Sequence, residues 1–338
     1  MSFKNLDQED FVVSSDSITA TLWSTGAPIL SEFFTSSVQE AGSSGDFYLA
    51  VYQTSSALTS AVPQFEIAYA NSEGSGSLLY NPNVVSNSPT KTIYGQYRSL
   101  ILEDESANFI FGIGNNTHIS KDFWVLSIDR ARYKEQLFAG SLNLKLSGST
   151  GGLLHLTDDS KDNPVNTFLG SSKVLQLISG SNGTSGNLAN SGQVAGSGSY
   201  GLVFPELGTI LINPSAISES ISLDALRNSN TLDNNNKSLY TAINQGASFQ
   251  LNSQETISSD YIFIRARNSE FNYSENPSFI TGSTGEVIYD QFINHPQVYA
   301  TTVGMYNDSN ELLAVAKLSR PLLKDFTKES LVRVKLDF

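Results

Sequence analysis

Apolar and polar residues alternate with a period of two at several places in this chain, and the pattern favours β-strands that bury one face. It occurs at residues 142–146 (LNLKL) and again over the last eight residues, 331–338 (LVRVKLDF). Short apolar runs such as 123–128 (FWVLSI) are consistent with strands buried on both faces. The sequence therefore predicts a mainly β or α+β fold. We expect antiparallel sheets or β-sandwich domains, a few short helices, and long loops rich in Gly, Ser and Asn.

The chain divides by composition into three predicted domains. Residues 1–140 mix apolar strand segments with some helical spacing and predict an N-terminal α+β domain. Residues 141–250 are β-rich and predict a middle domain. Residues 251–338 contain strands and turns with little low-complexity sequence, and they predict a C-terminal β domain used for docking.

Helical spacing is confined to short stretches, and one long segment lacks any pattern. We expect short helices at 94–102 and 215–227, and a further one that starts with 239–243 and ends near Gly246. Between 179 and 199, twelve of the twenty-one residues are Gly or Ser. Such a tract cannot offset its ordering entropy by burial, so it is predicted to be a flexible loop unless a partner orders it.

The polar but weakly charged composition limits the classes of function. Charged residues make up 16% of the chain, below the usual quarter, and the profile is common in β-rich extracellular and virion proteins. A net charge of −13 repels phosphate backbones, so no nucleic-acid partner is expected. The chain has no cysteine, which excludes disulfides and thiolate zinc sites.

Targeting signals are not evident in the sequence. The first ten residues contain no apolar segment of signal-peptide length, and no apolar run approaches eighteen residues. We therefore expect no membrane insertion and a protein made and kept in a cytoplasm.

The motifs that could carry chemistry are weak. Residues 196–201 (GSGSYG) match the dinucleotide pattern but lead into a strand segment, whereas pyrophosphate binding needs a helix N-terminus. His118, His155 and His295 lack the spacing of zinc ligands on one helix. Residues 158–163 (DDSKDN) lack the Gly and Glu of a calcium loop and are predicted to form an exposed turn. We expect no catalytic residue, cofactor, metal or small-molecule substrate, although a triad assembled in space stays open.

Basic residues cluster near the C-terminus of this acidic chain. Six of the twenty Lys and Arg residues fall within the last twenty-two positions. One interpretation is a solvated face, and the other is a docking edge for an acidic partner, including another copy of this protein. The candidate docking residues are Lys317, Arg320, Lys324, Arg333, Lys335 and the terminal Phe338.

Several segments resemble virion structural proteins of marine contractile-tailed bacteriophages, the myoviruses that infect cyanobacteria and similar hosts. The resemblance is carried by 301–307 (TTVGMYN), 312–321 (LLAVAKLSRP) and 332–338 (VRVKLDF), and it extends to 11–17 (FVVSSDS), 131–135 (ARYKE) and 268–274 (NSEFNYS). More distantly, 303–307 and 311–321 resemble the closing β domain of baseplate wedge subunits.

The resemblance implies a non-enzymatic virion subunit, assembled in the bacterial host cytoplasm and located in the tail or baseplate as a connector. Its partners would be other phage structural proteins and copies of itself. A head, neck or capsid-decoration protein is one alternative. A tail-associated protein that binds or cleaves host carbohydrate is another, and a cleft lined by Trp23 or Trp124 with paired carboxylates would favour it.

Overall fold

The computed structural model describes residues 3–35, 48–55, 58–76, 88–149, 151–187, 191–227 and 234–337. The chain forms two compact units, here called unit 1 (Met1–Ser17 and Thr256–Phe338) and unit 2 (Ile18–Glu255). Strands account for 43% of the structure and helices for 15%, which confirms the predicted mainly β class with antiparallel sheets. The sequence-based boundary at 250/251 lies five residues before the observed division at 255/256, and the boundary at 140/141 lies inside unit 2.

The elements are numbered in chain order. The strands are β1 (Phe11–Thr21), β2 (Ile29–Leu30), β3 (Phe34–Thr35), β4 (Leu49–Tyr52), β5 (Pro63–Asn71), β6 (Phe109–Phe111), β7 (His118–Ser120), β8 (Asp122–Ile128), β9 (Gln136–Leu137), β10 (Asn143–Ser147), β11 (Leu153–Asp158), β12 (Thr167–Leu169), β13 (Ser172–Ser181), β14 (Thr184–Ser185), β15 (Gly201–Phe204), β16 (Thr209–Ile212), β17 (Phe249–Gln250), β18 (Asn252–Ala266), β19 (Val298–Tyr306), β20 (Leu312–Lys324) and β21 (Ser330–Asp337). The helices are α1 (Pro89–Tyr97), α2 (Pro214–Ile221), α3 (Asn234–Gly246) and α4 (Gln291–Asn294), and a π-helical turn, Arg98–Leu102, follows α1.

Unit 2 is built on one large antiparallel sheet. Eleven strands run in the order β2-β17-β10-β11-β13-β15-β16-β8-β5-β4-β3 and curl into a half-barrel, while β12 and β14 pair with β13. The sheet takes strands from both sides of residue 140. The β15–β16 hairpin pairs Gly201 with Ile212 and Phe204 with Thr209.

Two apolar clusters cover the two faces of this sheet. In β8, Trp124 and Leu126 belong to one cluster, and Phe123 and Val125 belong to the other. Neighbouring side chains of a strand point to opposite faces, so a strand buried on both faces needs a continuous apolar run. This is why 123–128 has no polar alternation. Helices α2 and α3 pack in the first cluster and α1 in the second.

Helices α1 and α2 depart from the predicted bounds, whereas α3 begins earlier than predicted, at Asn234, and ends at Gly246 as predicted. Helix α2 begins with Pro214 after Asn213, whose side chain accepts a hydrogen bond from the Ser215 N–H. It ends at Ile221 because Ser222 adopts a left-handed conformation, so it does not reach the predicted Arg227. Helix α1 begins five residues before the predicted start, and a π-helical turn replaces its predicted second half.

The Gly/Ser-rich segment is ordered by its own unit in the part that the structure describes, so the prediction of a flexible loop is wrong there. Ser197 and Ser199 are buried. The Asn213 side chain donates to the carbonyls of both, at 2.7 and 2.8 Å, and the Ser199 hydroxyl donates to Gln176 Oε1 at 2.7 Å. Polar partners within the fold therefore take the place of apolar burial or an external partner.

Unit 1 contains two small sheets. One sheet has the order β1-β18-β21, and β21 is antiparallel to β18 with Ser259 opposite Asp337 and Ala266 opposite Ser330. Residues 253–254 of β18, which belong to unit 2, pair with β9. The second sheet is the long hairpin β19–β20, whose register shifts twice. Helix α4 is a single short turn of four residues.

Candidate functional site

Two of the candidate docking residues, Arg333 and Lys335, meet on one face of the C-terminal sheet. They alternate on β21 and lie over the ring of Tyr261 on β18, at 5.5 and 5.8 Å from its centroid. Lys335 also pairs with Asp337 at 2.9 Å. The hydrogen bond to Asp337 is the main cause of a raised pKa of Lys335, and Asp16 on β1 adds a smaller effect. The face therefore carries exposed cations around an aromatic ring.

The other candidates are distributed differently. Lys317 and Arg320 are exposed on β20 of the hairpin, away from the β1-β18-β21 sheet in the strand order. Phe338 lies outside the described residues. The basic C-terminal cluster is thus split between two sheets of unit 1.

Lys324 is a structural residue, which corrects its assignment to a docking edge. Its side chain is buried, and Nζ donates to the Asn268 carbonyl, Asn272 Oδ1 and the Asp325 carbonyl, each at 3.0 Å. An ammonium group can leave water at tolerable cost only when its three donors find acceptors. Because all three are satisfied inside unit 1, the charge is not available to a partner.

Exposed apolar side chains are the surface feature that the sequence reasoning missed. In unit 1, only Ile262, Phe279 and Val334 are buried apolar residues among those described. Sixteen large apolar side chains described in the same unit are exposed: Phe3, Phe11, Val12, Val13, Phe271, Tyr273, Ile288, Tyr289, Ile293, Tyr299, Tyr306, Leu312, Leu313, Val315, Phe326 and Leu331. Among the described residues, unit 1 therefore leaves more large apolar side chains exposed than it fully buries.

Both outer strands of the β1-β18-β21 sheet are open in the described structure. Ten of the eleven residues of β1 are exposed, and β18 is the only described strand with which β1 pairs. Likewise, β21 pairs with β18 alone among the described strands. A consecutive apolar run, Phe11-Val12-Val13, within an otherwise Ser-rich strand was the sequence signal for the first of these edges.

Unit 2 contains a small cleft with one buried carboxylate. The cleft has a volume of about 290 Å³ and is lined by Gly112–Gly114, Asp159, Asn163 and Gln176 among others. Asp159 Oδ1 accepts a hydrogen bond from the Gln176 N–H at 2.8 Å. Burial raises the pKa of Asp159 to about 6, although that hydrogen bond favours the ionised form.

The acidic segment 158–163 is partly buried, so the prediction of an exposed turn is wrong for its first two residues. Asp158 and Asp159 are only 1% and 5% exposed. Both Asp158 oxygens accept from the Gly140 N–H at 2.9 Å, and Asp162 accepts from the Ser185 N–H. These carboxylates fix neighbouring loops by accepting backbone hydrogen bonds, which is a structural role.

The geometry offers little for carbohydrate or metal chemistry in the described residues. Trp23 and Trp124 are buried in the core, and Trp124 Nε1 donates to the Asn235 carbonyl, so neither lines a cleft. The described part of the chain contains no group of three or more His, Cys, Asp or Glu residues that could hold a metal ion. Within those residues there is also no helix long and apolar enough to cross a membrane.

Comparisons with known proteins gave no match, whether to family models, to curated protein sequences or to solved structures. The function is therefore inferred from the residues and their geometry.

Proposed function

We propose that this protein is a non-enzymatic structural subunit of a bacteriophage virion, acting in the tail or baseplate as a connector. The observation that carries the proposal is the apolar balance of unit 1, with three buried and sixteen exposed large side chains in the described residues. Burial of such a side chain contributes about 1.5–3 kcal/mol. A unit that leaves this free energy unused as a monomer gains it when partners cover the surface.

The form of unit 1 supports assembly as its role. A two-stranded hairpin is marginal by itself in water, and β19–β20 is such a hairpin with Tyr299, Leu313 and Val315 exposed. Open strand edges pair readily with strands of other chains. Other phage structural proteins and copies of this chain are the partners we propose. The net charge of −13 disfavours a nucleic-acid partner.

A location in the head, in the neck or as a capsid decoration would use the same surfaces, so location is the part of the proposal that needs imaging. We expect cryo-electron microscopy of particles whose genome encodes this chain to show it in the tail or baseplate. Density in the head or neck would support that alternative. If mass spectrometry of purified infectious particles does not find the chain, the virion role fails.

The carbohydrate alternative has a separate assay. Purified protein is incubated with envelope polysaccharide of the host, and reducing ends and binding are measured. We expect neither cleavage nor saturable binding. Cleavage by the parent protein would overturn the non-enzymatic proposal. Its loss in Asp159→Asn would place the active site in the described cleft, and its survival would place the active site elsewhere.

A further inference from the structure

We propose that copies of this chain join head to tail, with strand β1 of one copy paired to strand β21 of the next. This inference rests on the proposed assembly function and names one of its partners as a second copy. Both strands belong to the same sheet, in the order β1-β18-β21, and form its two outer edges. Pairing of unlike edges would continue the sheet from one copy to the next.

Backbone geometry makes both edges competent to pair. In an antiparallel pair, alternate residues direct their N–H and C=O groups away from the partner strand. The eight residues of β21 that face β18 therefore leave about four donors and four acceptors on the outer side. Strand β1 has eleven residues, of which 11–17 lie in unit 1, so the two edges have similar lengths.

Charge distinguishes the two edges and favours unlike pairing. Strand β1 carries one carboxylate, Asp16, and three more, Asp7, Glu9 and Asp10, precede it directly, whereas residues 7–17 contain no cation. On β21, Arg333 and Lys335 are exposed cations, and the single carboxylate, Asp337, already pairs with Lys335. Pairing β21 with β21 would bring cations together, and pairing β1 with β1 would bring together Asp16 and the acidic residues before the strand from two copies. Directly opposed like charges destabilise strand pairs.

Exposed apolar side chains on both strands support the same pairing. Val12 and Val13 on β1 and Leu331 on β21 are 48%, 71% and 64% exposed. Contact between the edges would cover these apolar groups. Because unlike surfaces meet, the contact is heterologous and generates a ring if it closes or a filament if it does not.

The predicted contact is weak when taken singly. A strand edge of this length buries less than the roughly 1,000 Å² expected of a stable interface, so assembly should depend strongly on concentration. A closed ring gives each copy two contacts and raises the overall affinity without new chemistry. We therefore expect monomers at low micromolar concentration and larger species above it.

Two charge-exchange variants test the pairing. The first, Arg333→Glu with Lys335→Glu, makes the β21 edge acidic. The second, Glu9→Lys with Asp10→Lys and Asp16→Lys, changes the net charge of residues 7–17 from −4 to +2 and makes the β1 side basic. Each variant alone presents two edges of like charge, and their mixture restores two unlike contacts. Analytical ultracentrifugation over a concentration series measures the species, and circular dichroism checks that each variant is folded.

The expected result is at least tenfold weaker association of each variant alone and recovery of the parent's distribution in an equimolar mixture. Lys317→Glu with Arg320→Glu is the matched control, since it makes the same charge change on the hairpin and should associate like the parent. If either multiple variant is misfolded, the single changes Arg333→Glu and Asp16→Lys replace it, with a smaller loss. A parent that stays monomeric at about 200 μM, variants that associate like the parent, or a mixture that does not recover would each overturn the pairing. A monomeric parent that is nevertheless present in purified particles would leave the virion role standing.

Discussion

The ammonium group of Lys324 is buried inside unit 1, where its Nζ donates hydrogen bonds to three oxygen atoms. Two of its acceptors belong to Asn268 and Asn272, more than fifty residues earlier in the chain. The side chain therefore ties the 268–272 turn to the end of β20. A buried cation whose donors are all satisfied connects these two segments specifically. Loss of its charge should therefore destabilise the structure around it.

We predict that Lys324→Met destabilises unit 1 by about 2–4 kcal/mol, because Asn272 Oδ1 and the Asp325 carbonyl lose a charged donor while still buried. Urea unfolding followed by limited proteolysis of the 256–337 region measures the change. Lys317→Met is the control, since Lys317 is exposed and its loss should change stability by less than about 0.5 kcal/mol. Equal stability of the two variants would contradict the structural role of Lys324.

Asp159 gives unit 2 a pH-dependent stability. Its folded-state pKa, about 6, lies above the ordinary value of 3.8, so the folded chain holds this proton more tightly than the unfolded chain. The resulting stability is fully present below about pH 3.8 and is lost as the pH rises through 6. The contribution is at most about 3 kcal/mol.

Asp159→Asn should remove this dependence, because the amide oxygen keeps the hydrogen bond from the Gln176 N–H and carries no charge. We expect the variant to gain stability over the parent between pH 4 and pH 7, measured by chemical denaturation at each pH. Asp308→Asn changes an exposed carboxylate and serves as the control. A difference between Asp159→Asn and the parent that is constant over this range would refute the prediction.

At the scale of elements, the turn at 194–198 fixes the Gly/Ser-rich segment against the β6–β7 hairpin. Gly198 has a φ of +74°, and a Cβ placed there would lie 2.2 Å from the Phe111 carbonyl oxygen. Gly196 has a φ of +81°, with nothing within 4 Å of its Cβ position. The two glycines share a backbone conformation and differ in the space around them.

This pair separates steric contact from backbone strain. Gly196→Ala should cost about 1 kcal/mol from the positive φ alone. Gly198→Ala should cost about 3 kcal/mol or more, because the Phe111 backbone must move. Thermal unfolding of both variants measures the difference. Similar melting temperatures for the two would show that the segment is not packed against β6.

A strand or helix could be predicted from the sequence where the residues within that element determine its structure. The apolar run 123–128 predicted a strand buried on both faces, and β8 is that strand. The order of segment 191–199 depends on Asn213 and Gln176, and the burial of Asp159 depends on the packing of β11 against β13. Because these contacts join residues that are far apart in the chain, the pattern of residues in a short stretch of sequence does not reveal them.

At the scale of the whole molecule, the two units differ in how they are stabilised. Unit 2 has apolar clusters on both faces of its large sheet, whereas unit 1 buries three apolar residues in its described part. The ion pairs of unit 1 include Arg265 with Glu329 at 2.6 Å and Lys335 with Asp337 at 2.9 Å, both of them exposed. Exposed ion pairs contribute only about 0–1 kcal/mol each. Unit 1 should therefore be the less stable of the two as a monomer.

Hydrogen exchange measured by mass spectrometry tests this difference and its relation to assembly. At low protein concentration, we expect amides of β19 and β20 to exchange at least a hundredfold faster than those of β8 and β16, because local opening of unit 1 exposes little additional apolar surface. At high concentration, head-to-tail pairing should slow exchange in β1 and β21 and leave β19 and β20 unchanged. The Arg333→Glu, Lys335→Glu variant should lose this concentration-dependent protection and keep the exchange pattern of unit 2. Uniform protection of both units at low concentration would show that unit 1 is stable without partners, which would remove the main physical support for an assembly role.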